Sequence, residues 1–240
     1  MRLISLRLPS FKNLQDFSIN FDGEADTTVL VGRNGTGKSN LLEALSVIFG
    51  DLDLGATPSF PYEMVYYCRD KRIEVVADPL RERQRVRVKV KVDGEDVPFS
   101  TFFQDPDRQF LPSYVFGYYS GFGNRMEDHF SRHQRRFYDD LIHGRDRPLR
   151  PMLYARPVHS QFVLLAFFVE RDEQALELLK GYLGIEALES VLFIMRQPPW
   201  RPTLPGDPRF WNARGTVSSF LGELYRPALA PLRLERRVEI

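Results

Sequence analysis

Gly32-Arg33-Asn34-Gly35-Thr36-Gly37-Lys38-Ser39 carries the spacing G-x-x-x-x-G-K-[ST] at every fixed position. These residue types suit a loop that wraps a polyphosphate. Such a loop must point consecutive backbone N–H groups inward, and glycine permits the backbone angles and the close approach that this demands. Lys38 then supplies positive charge for the β- and γ-phosphate oxygens, and the Ser39 hydroxyl is placed to ligate Mg²⁺. A helix opening near Lys38 adds the positive end of its dipole. Arg33, inside the loop, is expected to point outward.

Other residues that could do chemistry carry weaker signals. His129 and His133 stand one helical turn apart, but no Cys, Asp or Glu lies at convincing zinc-ligand spacing, so surface positions are expected. Cys68, within Val65-Tyr66-Tyr67-Cys68, reads as an inert buried thiol. Residues 85–92 alternate valine with Arg85, Arg87, Lys89 and Lys91. That strip either meets nucleic-acid phosphates or is the solvated outer face of a strand, and the second reading is favoured.

The elements that must position the loop are legible around it. Residues 2–8 and 16–21 read as strands, and Thr27-Thr28-Val29-Leu30-Val31 as a short apolar strand running into the loop. Residues 40–49 place apolar side chains at helical spacing, with Gly50 as the expected stop. A β-rich stretch follows at residues 64–70, 71–78 and 85–92, with Asp93-Gly94 as a hairpin turn and 95–99 as a short return. Residues 114–119 read as a buried strand ending in the loop 120–124. Beyond about residue 124 the pattern turns helical. Residues 145–157, with three prolines and four arginines, read as a linker. One long helix is expected over 159–183, a shorter one over 186–195 and a last one near 217–225. Pro198-Pro199-Trp200-Arg201-Pro202 and Pro205-Gly206-Asp207-Pro208 break the pattern between them.

Composition sets the outer bounds. With 240 residues and 43% hydrophobic content, the chain can bury one sizeable core and a smaller satellite. A net charge of +1 gives no global pull toward nucleic acid or an anionic membrane. A single cysteine excludes a disulfide framework within the chain and fits a reducing compartment. The N-terminus lacks the apolar run of a signal peptide, and the most apolar window, 162–169, is far shorter than the ~20 residues of a spanning helix. A cytoplasmic protein is the expectation.

The opening residues with Phe11-Lys12-Asn13-Leu14 between their strands, and the stretch Val31 to Leu42 including Asn34 and Asn40, resemble the RecF/SMC/ABC-type ATPases. Within these, they are similar to the bacterial AAA-family ATPases of the RecF-like or overcoming-lysogenization-defect kind. Tyr118-Tyr119-Ser120-Gly121, then Arg125 and Arg135-Arg136-Phe137-Tyr138-Asp139, resemble the segment after that family's Q-loop strand, although no glutamine stands there. The resemblance implies an α/β P-loop NTPase lobe of ABC-ATPase type with a flanking antiparallel β-sheet over residues 1–145, followed by a mainly helical region over 146–240. It implies ATP and Mg²⁺ as ligands, held by Gly32, Arg33, Asn34, Gly35, Thr36, Gly37, Lys38, Ser39 and Asn40. Lys12 lies in a hairpin that in the family runs close to the nucleotide, so it either touches phosphates or base or is an ordinary exposed lysine.

Complete heads of that family also carry an LSGGE-type signature, an apolar strand ending in Asp-Glu and a switch histidine, and none of these is found. Glu170 and Arg171 separate the apolar run 162–169 from Asp172-Glu173, and Ser218-Ser219-Phe220-Leu221-Gly222-Glu223 lacks the paired glycines of a signature. The chain therefore reads as the front part of an ATPase, with a second head or a C-terminal lobe as partner and DNA or a defence-related effector downstream. A non-hydrolysing nucleotide sensor is the alternative, and a P-loop kinase a weaker one, because kinases open on the loop whereas strands precede it here. The guanine-reading N-K-x-D and the D-x-x-G switch of GTPases are both absent.

Overall fold

The computed structural model describes residues 1–25, 27–83, 86–121, 123–142, 151–197 and 205–229. Arg85, Phe122, the front of the 145–157 linker and the proline break at 198–202 lie outside the described residues. The chain divides into two compact units, one formed by residues 1–134 and 150–155, the other by 135–149 and 156–240.

The first unit is built on a six-stranded antiparallel sheet in the order β2-β1-β3-β4-β5-β6. Its strands are β1 (Arg2–Phe11), β2 (Leu14–Asn20), β3 (Tyr62–Cys68), β4 (Lys71–Ala77), β5 (Val88–Val92) and β6 (Glu95–Val97). Period-two patterning sorts the two faces. Leu6, Leu8, Met64, Tyr66, Cys68, Ile73, Val75, Ala77, Val88, Val90 and Val92 are all buried. Pro9 lacks an N–H and sits past the β1–β3 pairing, which ends at Arg7, so the ladder loses nothing there. The Asp93-Gly94 turn has both residues at positive φ, 51° and 90°, as a tight hairpin between β5 and β6 requires.

Helix α1 (Lys38–Leu54) joins the same core through Leu41, Ala44, Ile48, Phe49 and Leu52. A short helix α2 (Phe99–Phe103) adds Phe102. Strand β7 (Val115–Gly117) pairs in parallel with β8 (Met152–Tyr154), so part of the expected linker is a strand. Between them lie a 3₁₀ turn (Glu127–Phe130) and helix α3 (Ser131–Ile142).

Three expectations in this unit change. The buried strand expected over 114–119 is only the three residues of β7, with Tyr114, Phe116 and Tyr118 exposed, because its one described partner, β8, is equally short. Residues 27–31 form no strand, and Val29 and Val31 are 74% and 87% exposed. A fully apolar strand is stable only when paired within a sheet covered on both faces, and none of the described strands pairs with it. Helix α1 does not stop at Gly50. It continues to Gly55, whose φ of 61° caps the helix with its N–H on the Asp51 and Leu52 carbonyls, because Leu52 must still reach the core.

The second unit includes α4 (Pro157–Glu170), α5 (Glu173–Leu178), a π turn (Leu179–Leu183), a 3₁₀ turn (Pro208–Phe210) and α6 (Gly215–Tyr225). The single helix expected over 159–183 is broken at Arg171, which adopts φ 53°, and Asp172 caps α5 by accepting from the Ala175 N–H. Residues 186–195 are not helical. Leu188, Val191, Leu192, Ile194 and Met195 stay exposed there, and a short helix without a buried face is marginal in water. Helix α6 forms where the sequence predicts it, with Phe210 edge-on to Tyr225 at 5.9 Å.

The true end of α1 yields a paired prediction. A Cβ at Gly50 would meet His133 and Met152 atoms at 3.7 and 3.8 Å, ordinary contact, whereas at Gly55 it would meet the Phe103 ring at 2.5 Å in a left-handed backbone. Gly50→Ala should be neutral or stabilising by up to ~1 kcal/mol, and Gly55→Ala should destabilise by at least ~1 kcal/mol in urea unfolding. The reverse order would place the helix end wrongly.

Candidate nucleotide site

The loop between residue 31 and α1 is exposed and adopts backbone angles that glycine favours. Gly35 and Gly37 sit at φ 84° and 99°, and Gly37 is the N-cap of α1 without any side-chain cap. The amides of the first helical turn have no partner within the helix, so this end can receive an anion. Gly37 also has no room for a side chain: a Cβ there would meet Leu14 Cδ2 at 2.5 Å and Asn13 Oδ1 at 3.1 Å. At Gly35 the space is open to 4 Å. The β1–β2 hairpin thus lies directly against the start of α1.

Lys38 is folded into the loop. Its Nζ donates to the carbonyls of Gly32 at 2.7 Å and Arg33 at 2.8 Å, and Thr36 Oγ1 donates to the Arg33 carbonyl at 2.9 Å. The ammonium is therefore on the loop's own oxygens, which a phosphate oxygen would replace. Arg33 is exposed, in line with its expected outward position, as are Asn34, Gly35 and Thr36, while Ser39 and Asn40 are half-buried. Glycine cradle, lysine, serine hydroxyl and uncapped amides together form a donor set that fits Mg²⁺-ATP.

Behind the loop lies a network that the motif does not announce. Asn13 Nδ2 donates to the Gly35 carbonyl at 2.7 Å, and Asn40 Nδ2 donates to Asn13 Oδ1 at 2.5 Å. Arg125, from beyond β7, donates through Nη2 to Asn40 Oδ1 and through Nε pairs with Glu43. Glu43 is also paired with Lys12, and His129 Nε2 lies 3.4 Å from its Oε2. Lys12, at φ 54° in the hairpin turn, is exposed and paired with this carboxylate. Burial pushes the Glu43 carboxyl up, yet Lys12, His129 and Arg125 outweigh it and hold the group below its ordinary range.

A second charged cluster sits at the other end of α1. Asp53 Oδ2 is 2.9 Å from His133 Nε2, and its Oδ1 is 2.6 Å from Arg108 Nη1. Asp51 pairs with Arg132. Burial pushes both carboxyls up. In Asp53 the His133 and Arg108 partners prevail and lower it, while in Asp51 burial prevails and raises it. His133 is 4% exposed, so the expectation that both histidines lie at the surface is corrected: each is drawn to a carboxylate on α1. Among the described residues no group of three or more His, Cys, Asp or Glu is arranged for a metal. Cys68 is buried, and burial raises its thiol.

The basic strip is less basic in register than in sequence. Lys91 stands between Glu74 on β4 and Asp96 on β6, and Lys89 faces Val76. Lys89 and Lys91 are exposed while Val88, Val90 and Val92 are buried, and Val86 is exposed as well. Arg87 donates to the Arg81 carbonyl at 2.9 Å.

Residues 1–98 match the AAA ATPase domain family. An OLD nuclease of Thermus scotoductus is 27% identical, over 78% of this chain and 40% of that protein, so the chain spans about two fifths of the relative's length. Two solved structures are more distant. An SMC ATPase, studied for ATP-driven dimerization and DNA-stimulated activation, is 17% identical with a TM-score of 0.35 over 59% of this chain and 99% of its own. The recombination mediator RecF with ATP is 18% identical with a TM-score of 0.32 over 75% of this chain and 45% of its own. Among the described residues no helix is long and apolar enough to cross a membrane.

Of the residues singled out from the sequence, the structure gathers 32–40 at one helix end and brings Lys12 and Arg125 to the same helix through Glu43. Sequence reasoning missed Glu43 and the role of Asn13. The signal for Glu43 was a lone carboxylate inside the apolar run Leu41-Leu42-Glu43-Ala44-Leu45, one turn after Ser39.

The lowered Asp53 carboxyl gives stability a defined acid limb. A carboxyl lowered in the folded state contributes stability that is complete above its unfolded value and lost as pH falls through the folded one, whereas the raised Asp51 acts in the opposite sense. Asp53→Asn should therefore lose less urea stability than the wild type between about pH 5 and about pH 2. An equal loss in both proteins would show that the His133–Asp53–Arg108 cluster does not govern the acid limb.

Proposed function

We propose that this chain binds Mg²⁺-ATP through residues 32–40 and serves as the front part of a RecF/SMC-like ATPase head. The observation that carries the reading is the uncapped, glycine-turned start of α1 with Lys38 folded into the loop. Lys38 would neutralise the β- and γ-phosphates, Ser39 would hold Mg²⁺, and the loop amides would bind the remaining oxygens. Lys12 and Asn40 would complete the surroundings from the hairpin and the first helical turn. Mg²⁺ would bridge phosphate oxygens and offset their charge.

The division proposed for the chain is a nucleotide lobe over 1–145 and a helical region over 146–240, in a cytoplasmic protein. Hydrolysis needs a water oriented against the terminal phosphate, and the sequence offers no strand-borne Asp-Glu for that task. The apolar run 162–169, the nearest imitation, lies within helix α4. A second head or a C-terminal lobe is therefore the proposed partner, supplying the carboxylate and the signature. Two features support a partner surface: the exposed Val29 and Val31 before the loop, and an open groove of about 680 Å³ lined by Leu42, Leu45, Phe49, Tyr114, Phe116 and Tyr118. ATP binding would gate that association in DNA maintenance or phage defence. The similarity to an OLD nuclease supports this setting, while the charge-paired strip of Lys91, Glu74 and Asp96 gives DNA no obvious footing on that sheet face.

Lys38→Ala should abolish Mg²⁺-ATP binding in calorimetry, and Ser39→Ala should chiefly weaken its Mg²⁺-dependent part. Unchanged affinity in Lys38→Ala would remove the assignment. The chain alone should release phosphate at no more than a trace rate, with activity appearing when a completing polypeptide is added. Steady turnover by the pure protein, abolished by Lys38→Ala, would reveal a catalytic carboxylate within this chain.

A further inference from the structure

Triphosphate binding at the loop leaves one group without a role. Glu43 lies on the same face of α1 as Ser39, one turn further on, with its side chain 1% exposed. A buried carboxylate is tolerated only with partners, and Glu43 takes them from segments remote in sequence: Lys12 in the hairpin turn, and Arg125 and His129 beyond β7. Arg125 spends Nε on Glu43 and Nη2 on Asn40 Oδ1. Asn40 donates to Asn13, and Asn13 donates to the Gly35 carbonyl. An unbroken chain of polar contacts therefore runs from the buried carboxylate to the middle of the phosphate loop.

Both ends of that chain are under constraint. Lys12 occupies a left-handed backbone position that lysine rarely adopts, so the hairpin turn needs an outside contact to stay in place. Gly37 is packed against Leu14 of the same hairpin, so a shift of the turn moves the loop. One carboxylate faces two permanent cations, which leaves surplus positive charge beside the first turn of α1.

We infer that Glu43 is a positioning residue for the phosphate loop: by anchoring Lys12 and Arg125 it holds Asn40 on Asn13 and Asn13 against Gly35, and so pre-sets the loop for a triphosphate. The inference deepens the ATP-binding reading and rests on it. Pre-organisation of this kind raises affinity by removing the ordering cost from the binding step. Glu43 need not touch the ligand, since its effect passes through Arg125 and Lys12.

A double-mutant cycle on the full chain separates this role from simple stabilisation. Mg²⁺-ATP affinity is measured by calorimetry for the wild type, Glu43→Gln, Arg125→Gln and the pair, with unfolding of each nucleotide-free protein measured alongside. Each single change should weaken binding by about tenfold, the worth of one charge-assisted contact, and the pair should bind no more weakly than the worse single variant. Unchanged affinity in Glu43→Gln, or a loss in the pair equal to the product of the two single losses, would overturn the inference. Should Glu43→Gln fail to fold, Arg125→Gln, whose side chain is half-exposed, carries the test with Asn40→Ala, and unchanged affinity in both would overturn it equally. Failure of the underlying reading looks different. A wild type that binds no Mg²⁺-ATP, or binds it as well after Lys38→Ala, removes the site and this inference with it, whereas Lys38-dependent binding indifferent to Glu43 removes the inference alone.

Discussion

Helix α1 has to satisfy two surfaces at once, and most of the first unit is arranged by that demand. Its apolar stripe, Leu41, Ala44, Ile48, Phe49 and Leu52, lies in the core with the buried residues of the six-stranded sheet. Burial of the four larger side chains, each contributing roughly 1.5–3 kcal/mol, fixes the helix axis and its rotation. Once the rotation is fixed, the direction in which Lys38 and Ser39 leave the first turn is fixed as well. The β1–β2 hairpin then has one place to go, with Leu14 packed on the glycine that begins the helix.

That same rotation carries Glu43, Asp51 and Asp53 inward, where each needs a cation. At the start of the helix the cations are Lys12 and Arg125, and at its end they are Arg132 and Arg108, with a histidine beside each cluster. Buried ion pairs of this kind add little net stability over apolar contacts, but breaking one is costly because it leaves a charge without a partner. They act instead as locators. Residues 108–133 are tied to α1 at both ends, which keeps Arg125 beside Asn40 although 85 residues separate the two.

Much of this was readable from residue types, and the parts that were not have physical reasons. The glycine turn at the start of α1 was legible because its glycines answer a local backbone need, and β3, β4 and β5 because their alternation answers a local burial need. The stop of α1 was misplaced at Gly50, since glycine marks a helix end only when the chain has no further apolar residue to deliver, and Leu52 is such a residue. His133 was expected at the surface because nothing local reveals that Asp53, 80 positions earlier, lies within hydrogen-bonding distance. Glu43 was overlooked for the same reason. A charge within an apolar run becomes meaningful only when the tertiary fold supplies Lys12 and Arg125 together.

The strand that did not form bears most directly on function. Residues 27–31 have the composition of a central parallel strand, yet such a strand is stable only within a sheet that is covered on both faces. No described strand pairs with this one, so Val29 and Val31 remain in water just ahead of the loop. On the proposed reading, the polypeptide that supplies the catalytic carboxylate also has to supply the neighbouring strand, because a carboxylate that orients water against the terminal phosphate must be held at the end of an element beside the loop. Completion of the sheet and completion of the chemistry are then one event. ATP binding, which orders the loop, and partner docking, which orders the strand leading into it, would act on adjacent residues of one segment, so each should favour the other.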